Sequence, residues 1–235
     1  MTPSDRRFGA AAIVGGALLL VIYAALFPVV LPIRPGQFDY IVIVSSPWWA
    51  PLATTALAGV LLLLLGLDPV FSLIRSRAGL SGWIGLVTLK IALVLQACKL
   101  SWQLLIDPVI ARQPDAQILF RDALFLTDPV FGIFRFVAAA TIVVGITFFG
   151  AALYRSGYVP RAAIALIALG AVGYAAGFLF SMWIAIGGII VLGIGCVVIG
   201  RAIWNLPLPA PASGAGDPAA APGSGSRPPP WRAAR

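Results

Sequence analysis

"RAAIALIALGAVGYAAGFLFSMWIAIGGIIVLGIGCVVIGR", residues 161–201, carries no proline and no charge between its two terminal arginines. As one helix rising 1.5 Å per residue it would measure about 60 Å, roughly twice the hydrocarbon thickness of a bilayer. It therefore reads as two membrane spans folded back on each other. The break is expected within "FLFSMW", 178–183, where Ser181 can cap a new helix and Trp183 suits the headgroup level. The arms become 160–180 and 182–203.

The rest of the chain has the same character. Sixty per cent of its residues are apolar and 10% are charged, with a mean hydropathy of +1.00. A soluble domain usually carries about 25% charged residues. Four further apolar stretches are long enough to cross a bilayer, at 8–31, 48–67, 82–106 and 129–153. The expected fold is thus an all-α, polytopic bundle of six transmembrane helices over residues 1–204. Residues 205–235, rich in Pro, Ala, Gly and Ser, have almost nothing to bury and read as a disordered tail. The first stretch exceeds the apolar length of a signal peptide and lacks a small-x-small cleavage site, so it is taken as a true span.

Loop charges orient the thread. Arg6, Arg7, Arg75, Arg77, Arg155, Arg161 and Arg201 fall at one set of span ends. At the other, Arg34 is balanced by Asp39, and Arg112 and Arg121 by Asp107, Asp115, Asp122 and Asp128. The basic set is expected on the cytoplasmic side, with both termini. These scattered arginines account for the net charge of +8 without a nucleic-acid partner. The tryptophans at 48, 49, 83, 102, 183 and 204 lie near span ends, as a headgroup belt does.

"LDPVFSLIR" (67–75), "IDPVIAR" (106–112) and "TDPVFGIFR" (127–135) repeat one motif. An aspartate that can accept from free helix-start N–H groups, followed by a proline with no N–H to lose, is an instruction to begin a helix. On this reading Asp68 opens a short interfacial helix after the second span, Asp107 follows the third, and Asp128 starts the fourth. Short surface helices are expected between the third and fourth spans, burying Ile118, Leu119, Leu124 and Phe125.

The third span carries a polar stripe. At roughly 100° per residue, Gln96, Lys99, Gln103 and Asp107 share one sector, joined by Ser81 and Thr88 nearer the basic end. Ionisable groups within membranes seldom face lipid, so this stripe is expected to face other helices or a cavity. Arg135, about two turns into the fourth span, lies at a depth similar to that of Lys99. Together Gln96, Lys99, Gln103 and Arg135 form a candidate cationic pocket with Asp107 and Asp128 as counter-ions. Lys90 points elsewhere and has no carboxylate partner within any of these spans.

The residue inventory excludes much chemistry. Histidine and glutamate are absent, and Cys98 and Cys196 lie in opposite halves of the bundle. No metal site, cofactor or catalytic group is expected. Gly173 and Gly177 have the spacing of a close helix contact, and the glycines of the last two spans offer packing surfaces for this chain, a second copy or another membrane protein. Two functions follow. The favoured one is a small, non-catalytic accessory or scaffold subunit of an inner membrane, of bacterial type. The alternative is a bundle that binds or transports an anionic or amphipathic small molecule or lipid through the pocket between the third and fourth spans.

Overall fold

The computed structural model describes residues 2–31, 39–116, 128–177 and 180–206. Among these residues every regular element is a helix. Most of the expected tail, and the surface helices expected around Ile118, Leu119, Leu124 and Phe125, lie outside them.

α1 (Pro3–Val30) starts ahead of its apolar run because a capping box secures it. The Asp5 backbone N–H donates to Thr2 Oγ1 at 3.2 Å, and the Thr2 N–H donates to the Asp5 carboxylate at 2.8 Å. After the short α2 (Tyr40–Val44) comes α3 (Trp49–Leu105), which is a hairpin. Its backbone departs from helical geometry at Gly79, with φ 60° and ψ −168°, a conformation that glycine adopts without steric cost.

The reversal is fixed by contacts on both sides of that glycine. In a straight helix residues 68 and 90 would stand about 33 Å apart. Here Lys90 Nζ lies 2.6 Å from the Asp68 carboxylate. The Phe71 and Trp83 rings meet at 4.8 Å, and Trp49 Nε1 donates to the Gln103 carbonyl at 2.8 Å. The arms are 49–78 and 80–105.

This corrects the reading of Asp68. The helix runs through Asp68 and Pro69 without starting afresh, and Pro69 packs against Gly9 of α1, where a side chain would overlap its ring. The three motif copies therefore differ. Asp107 begins the five-residue α4 (Asp107–Ala111), but its carboxylate goes to Tyr40 rather than to the helix start. Asp128 does precede a helix, α5 (Pro129–Ser156), and its carbonyl accepts from Gly132 N–H at 2.9 Å.

α6 (Arg161–Gly177) follows a turn at Gly157, and α7 (Met182–Trp204) begins where Ser181 caps it by accepting from Trp183 N–H. Four helical stretches are long and apolar enough to cross a membrane: Pro3–Val30, Trp49–Ala111, Gly132–Ser156 and Met182–Trp204. α6 is apolar but shorter.

The helices close into a ring. α1 packs on the 49–78 arm, the 80–105 arm on α5, α5 on α6, α6 on α7, and α7 back on α1. Neighbours run antiparallel throughout, which sorts the helix ends into two sets. One end holds the turns at Gly79 and Gly157, the start of α1 and the end of α7. The other holds α2, α4, the start of α5 and the turn before α7. The glycines expected as packing surfaces act mainly within the chain. A side chain at Gly170 would overlap Leu192 backbone, and one at Gly188 would overlap the 173–174 backbone, so α6 and α7 touch nearly main chain to main chain.

Candidate functional site

The ring encloses a cavity of about 860 Å³ lined from α1, α2, both arms of α3, α4, α5, α6 and α7. That is near the upper end of the range of about 300–1,000 Å³ usual for ligand sites. Its lining is divided along the bundle axis.

Towards the Gly79 and Gly157 turns the walls are apolar, with Leu63, Leu67, Val70, Ile146, Phe149 and Leu153 among them. Towards the opposite end stand Gln96, Lys99, Gln103, Asp107, Asp128 and Arg135. The helical phase of one stripe and the depth of one arginine thus bring all six residues singled out in the sequence to one cavity. Ser81 and Thr88, assigned to the same stripe, are not among the lining residues. Ser81 sits at the basic end, where it hydrogen-bonds Arg155.

Each polar side chain is held differently. Gln96 is 7% exposed, and its Oε1 accepts a hydrogen bond from the Tyr174 hydroxyl at 2.8 Å. Its Nε2 is buried and has no hydrogen-bond partner among the described residues. A buried donor left unsatisfied costs about 1–3 kcal/mol, so this amide marks a place where an acceptor is wanted.

Nearer the rim, Asp107 is 1% exposed and accepts a hydrogen bond from the Tyr40 hydroxyl. Gln103 Nε2 donates to the same hydroxyl at 3.5 Å. Burial, and after it the Asp107 carboxylate, push the Tyr40 phenol well above its ordinary value, so it stays a proton donor at neutral pH. Lys99 is close enough to both Arg135 and Asp107 to feel their charges.

Sequence reasoning did not find the tyrosines. Tyr23, Tyr40 and Tyr174 all line the cavity, two of them from within apolar helices. The available signal was the phenol itself, since a hydroxyl within an apolar span needs a partner. Trp49, which is buried, and Trp102, which is partly exposed, also line the polar end; Trp48, Trp83, Trp183 and Trp204 are exposed near helix ends and are not among the lining residues.

Lys90 lies outside the cavity. It pairs with Asp68 on the outer surface of the hairpin, with side-chain exposures of 35% and 63%. The expectation that no span offers it a carboxylate fails because Asp68 belongs to a continuous helical arm.

The far end of the bundle is basic and aromatic. Arg7 lies over Trp204, Arg75 over Trp83, Arg77 over Tyr158 and Arg161 over Tyr154, all within 6 Å of the ring centre. Arg77 also donates to the Ser156 carbonyl at 2.8 Å. Among the described residues no cluster of His, Cys, Asp or Glu has the make-up of a metal site. No family model, curated protein or solved structure matches the chain.

Proposed function

We propose that this protein is a non-catalytic, six-span membrane protein that binds an anionic or amphipathic small molecule in its central cavity. The observation that carries this reading is the buried Gln96 amide, its Nε2 unsatisfied among the described residues, on the wall of a large cavity whose cations, Lys99 and Arg135, lie at the same end. On sequence alone the accessory-subunit reading came first, supported by glycine faces in the last two spans. The principal glycines of those faces meet the chain's own helices, which shifts the weight to the ligand.

Six crossings are supported by the reversal at Gly79, since the arms 49–78 and 80–105 are each about 40 Å long by helical rise. α6 supplies the remaining crossing from its place between α5 and α7. The ring of arginines at the opposite end from the polar cavity lining supports a cytoplasmic position for both termini, in a bacterial-type inner membrane. A fluorescent reporter fused after Arg235 should mature, and a phosphatase that needs export should be inactive there. The opposite pair of results overturns the orientation.

The binding reading is tested by extracting the protein with its surrounding lipid and identifying by mass spectrometry what accompanies it. A reproducible ligand is expected, and its recovery should fall by about tenfold or more in Lys99→Leu or Arg135→Leu, the loss of one charge-assisted hydrogen bond. Equal recovery from both variants overturns the reading. A second membrane protein in fixed ratio, with no small ligand, restores the accessory subunit.

A further inference from the structure

Resting on that binding reading, we infer the class and pose of the ligand: an amphiphile with an oxyanion head, carboxylate or phosphate, seated at Gln96, Lys99 and Arg135, its apolar tail running towards the basic end of the bundle.

The head is defined by what the site offers. Gln96 has its acceptor engaged by Tyr174 and its donor buried and unsatisfied among the described residues, and the side chain belongs to the cavity wall. Lys99 and Arg135 are side chains that only donate. A head that only accepts matches all three.

Charge is also sorted by depth. By helical rise Asp107 stands about 12 Å nearer the rim than Lys99, and Asp128 about 10 Å nearer than Arg135. Asp107 accepts from Tyr40 with Oδ2, and its Oδ1 is buried without a hydrogen-bond partner among the described residues. By backbone position the carboxylates thus form an upper tier and the cations a lower one, with Lys99 still within electrostatic reach of Asp107. A small inorganic anion would use the lower tier alone and leave the rest of the cavity unexplained.

The tail is defined by that remainder. Beneath Gln96 and Tyr174 the lining contains no charged or amide side chain. Arg135 and Leu153 both line the cavity and lie about 27 Å apart along α5, close to the hydrocarbon thickness of a bilayer. An apolar channel of that length accepts an alkyl or isoprenoid chain end-on. A compact polar solute would leave it empty or force water against leucine and phenylalanine.

The probe is octadecyl phosphate bearing a photoreactive diazirine at the tail end, added to the full chain in phosphatidylcholine nanodiscs and mapped by peptide mass spectrometry. Insertion is expected at the cavity-lining Ile146, Phe149 or Leu153 rather than at the outward-facing Val144 and Phe148 on the same helix. Gln96→Leu and Gln96→Glu should each lower cavity labelling by about tenfold. The glutamate variant keeps the shape of the side chain and replaces the donor with a repelling charge. Ile146→Trp, which blocks the tail path and leaves the head site intact, should abolish labelling at Leu153.

The outcomes separate this inference from the reading beneath it. Cavity labelling that millimolar inorganic phosphate suppresses as well as unlabelled octadecyl phosphate does would overturn the amphiphile and leave a small-anion site. Equal labelling by the matching alcohol would overturn the oxyanion head and leave an apolar-ligand site. Labelling confined to Val144 and Phe148, with nothing recovered in the native-lipid extraction, overturns both.

Discussion

Lys90 and Lys99 stand on the same helical arm, nine residues apart, and do opposite things. At about 100° per residue, nine residues make two and a half turns, so the two ammonium groups leave the helix on opposite faces. Lys90 turns outward and meets Asp68 from the antiparallel arm at 2.6 Å. Lys99 turns inward to a cavity it shares with Gln96 and Arg135. One lysine closes a local ion pair and the other contributes to a site. The difference lies in helical phase and in which neighbour the fold brings opposite, since the side chains are identical.

The sharpest way to break this comparison is to remove each lysine in turn and measure the ligand recovered with the protein. Lys99→Leu should lose about tenfold or more, whereas Lys90→Leu should stay within about twofold of the parent. A similar loss from both would mean that Lys90 acts on the cavity and that the division into an outer pair and an inner site is wrong.

A second, smaller effect concerns stability. Asp68→Leu strands Lys90 on an apolar surface and should cost about 1 kcal/mol in thermal unfolding in lipid nanodiscs, as should Lys90→Leu in reverse. The double leucine variant should be no less stable than either single variant, giving a coupling of about 1 kcal/mol. Additive single losses would show that the contact contributes nothing as a pair. None of the three variants should alter ligand recovery.

These contrasts also explain what could be read from the sequence. Gln96, Lys99, Gln103 and Asp107 were legible as one face because phase within a helix is a local property, independent of the neighbours. Arg135 joined them through depth alone. The Asp68–Lys90 pair was hidden because it depends on where the chain reverses, and Gly79 is a single glycine in a stretch whose charges and proline suggested a boundary near residue 67. The repeated Asp-Pro-Val motif misled for a related reason. Capping is one use of an aspartate, and Asp107 and Asp68 each have a partner brought from a distant segment, Tyr40 or Lys90. The glycines announced close packing but not with whom, because Gly170 and Gly188 would suit a second copy as well as they suit their actual neighbours in α7 and α6.

The smallest predicted effect lies at the rim and tests whether the Tyr40–Asp107 contact belongs to the fold rather than to the ligand. The Tyr40 phenol is held above its ordinary value of 10.0, first by burial and then by the Asp107 carboxylate. Below pH 10 both folded and unfolded chains keep that proton, and its contribution to stability is fully present. Above pH 10 the unfolded chain releases it while the folded chain retains it, so stability falls by at most about 1.4 kcal/mol per pH unit. The Tyr40→Phe variant lacks this term, and its unfolding should decline less steeply than that of the parent between pH 10 and 11. Tyr23 and Tyr174 titrate in both proteins and cancel in the difference. Parallel declines would show that Tyr40 is solvated like a free phenol, and the hydrogen bond that closes the upper tier of the site would have to be abandoned.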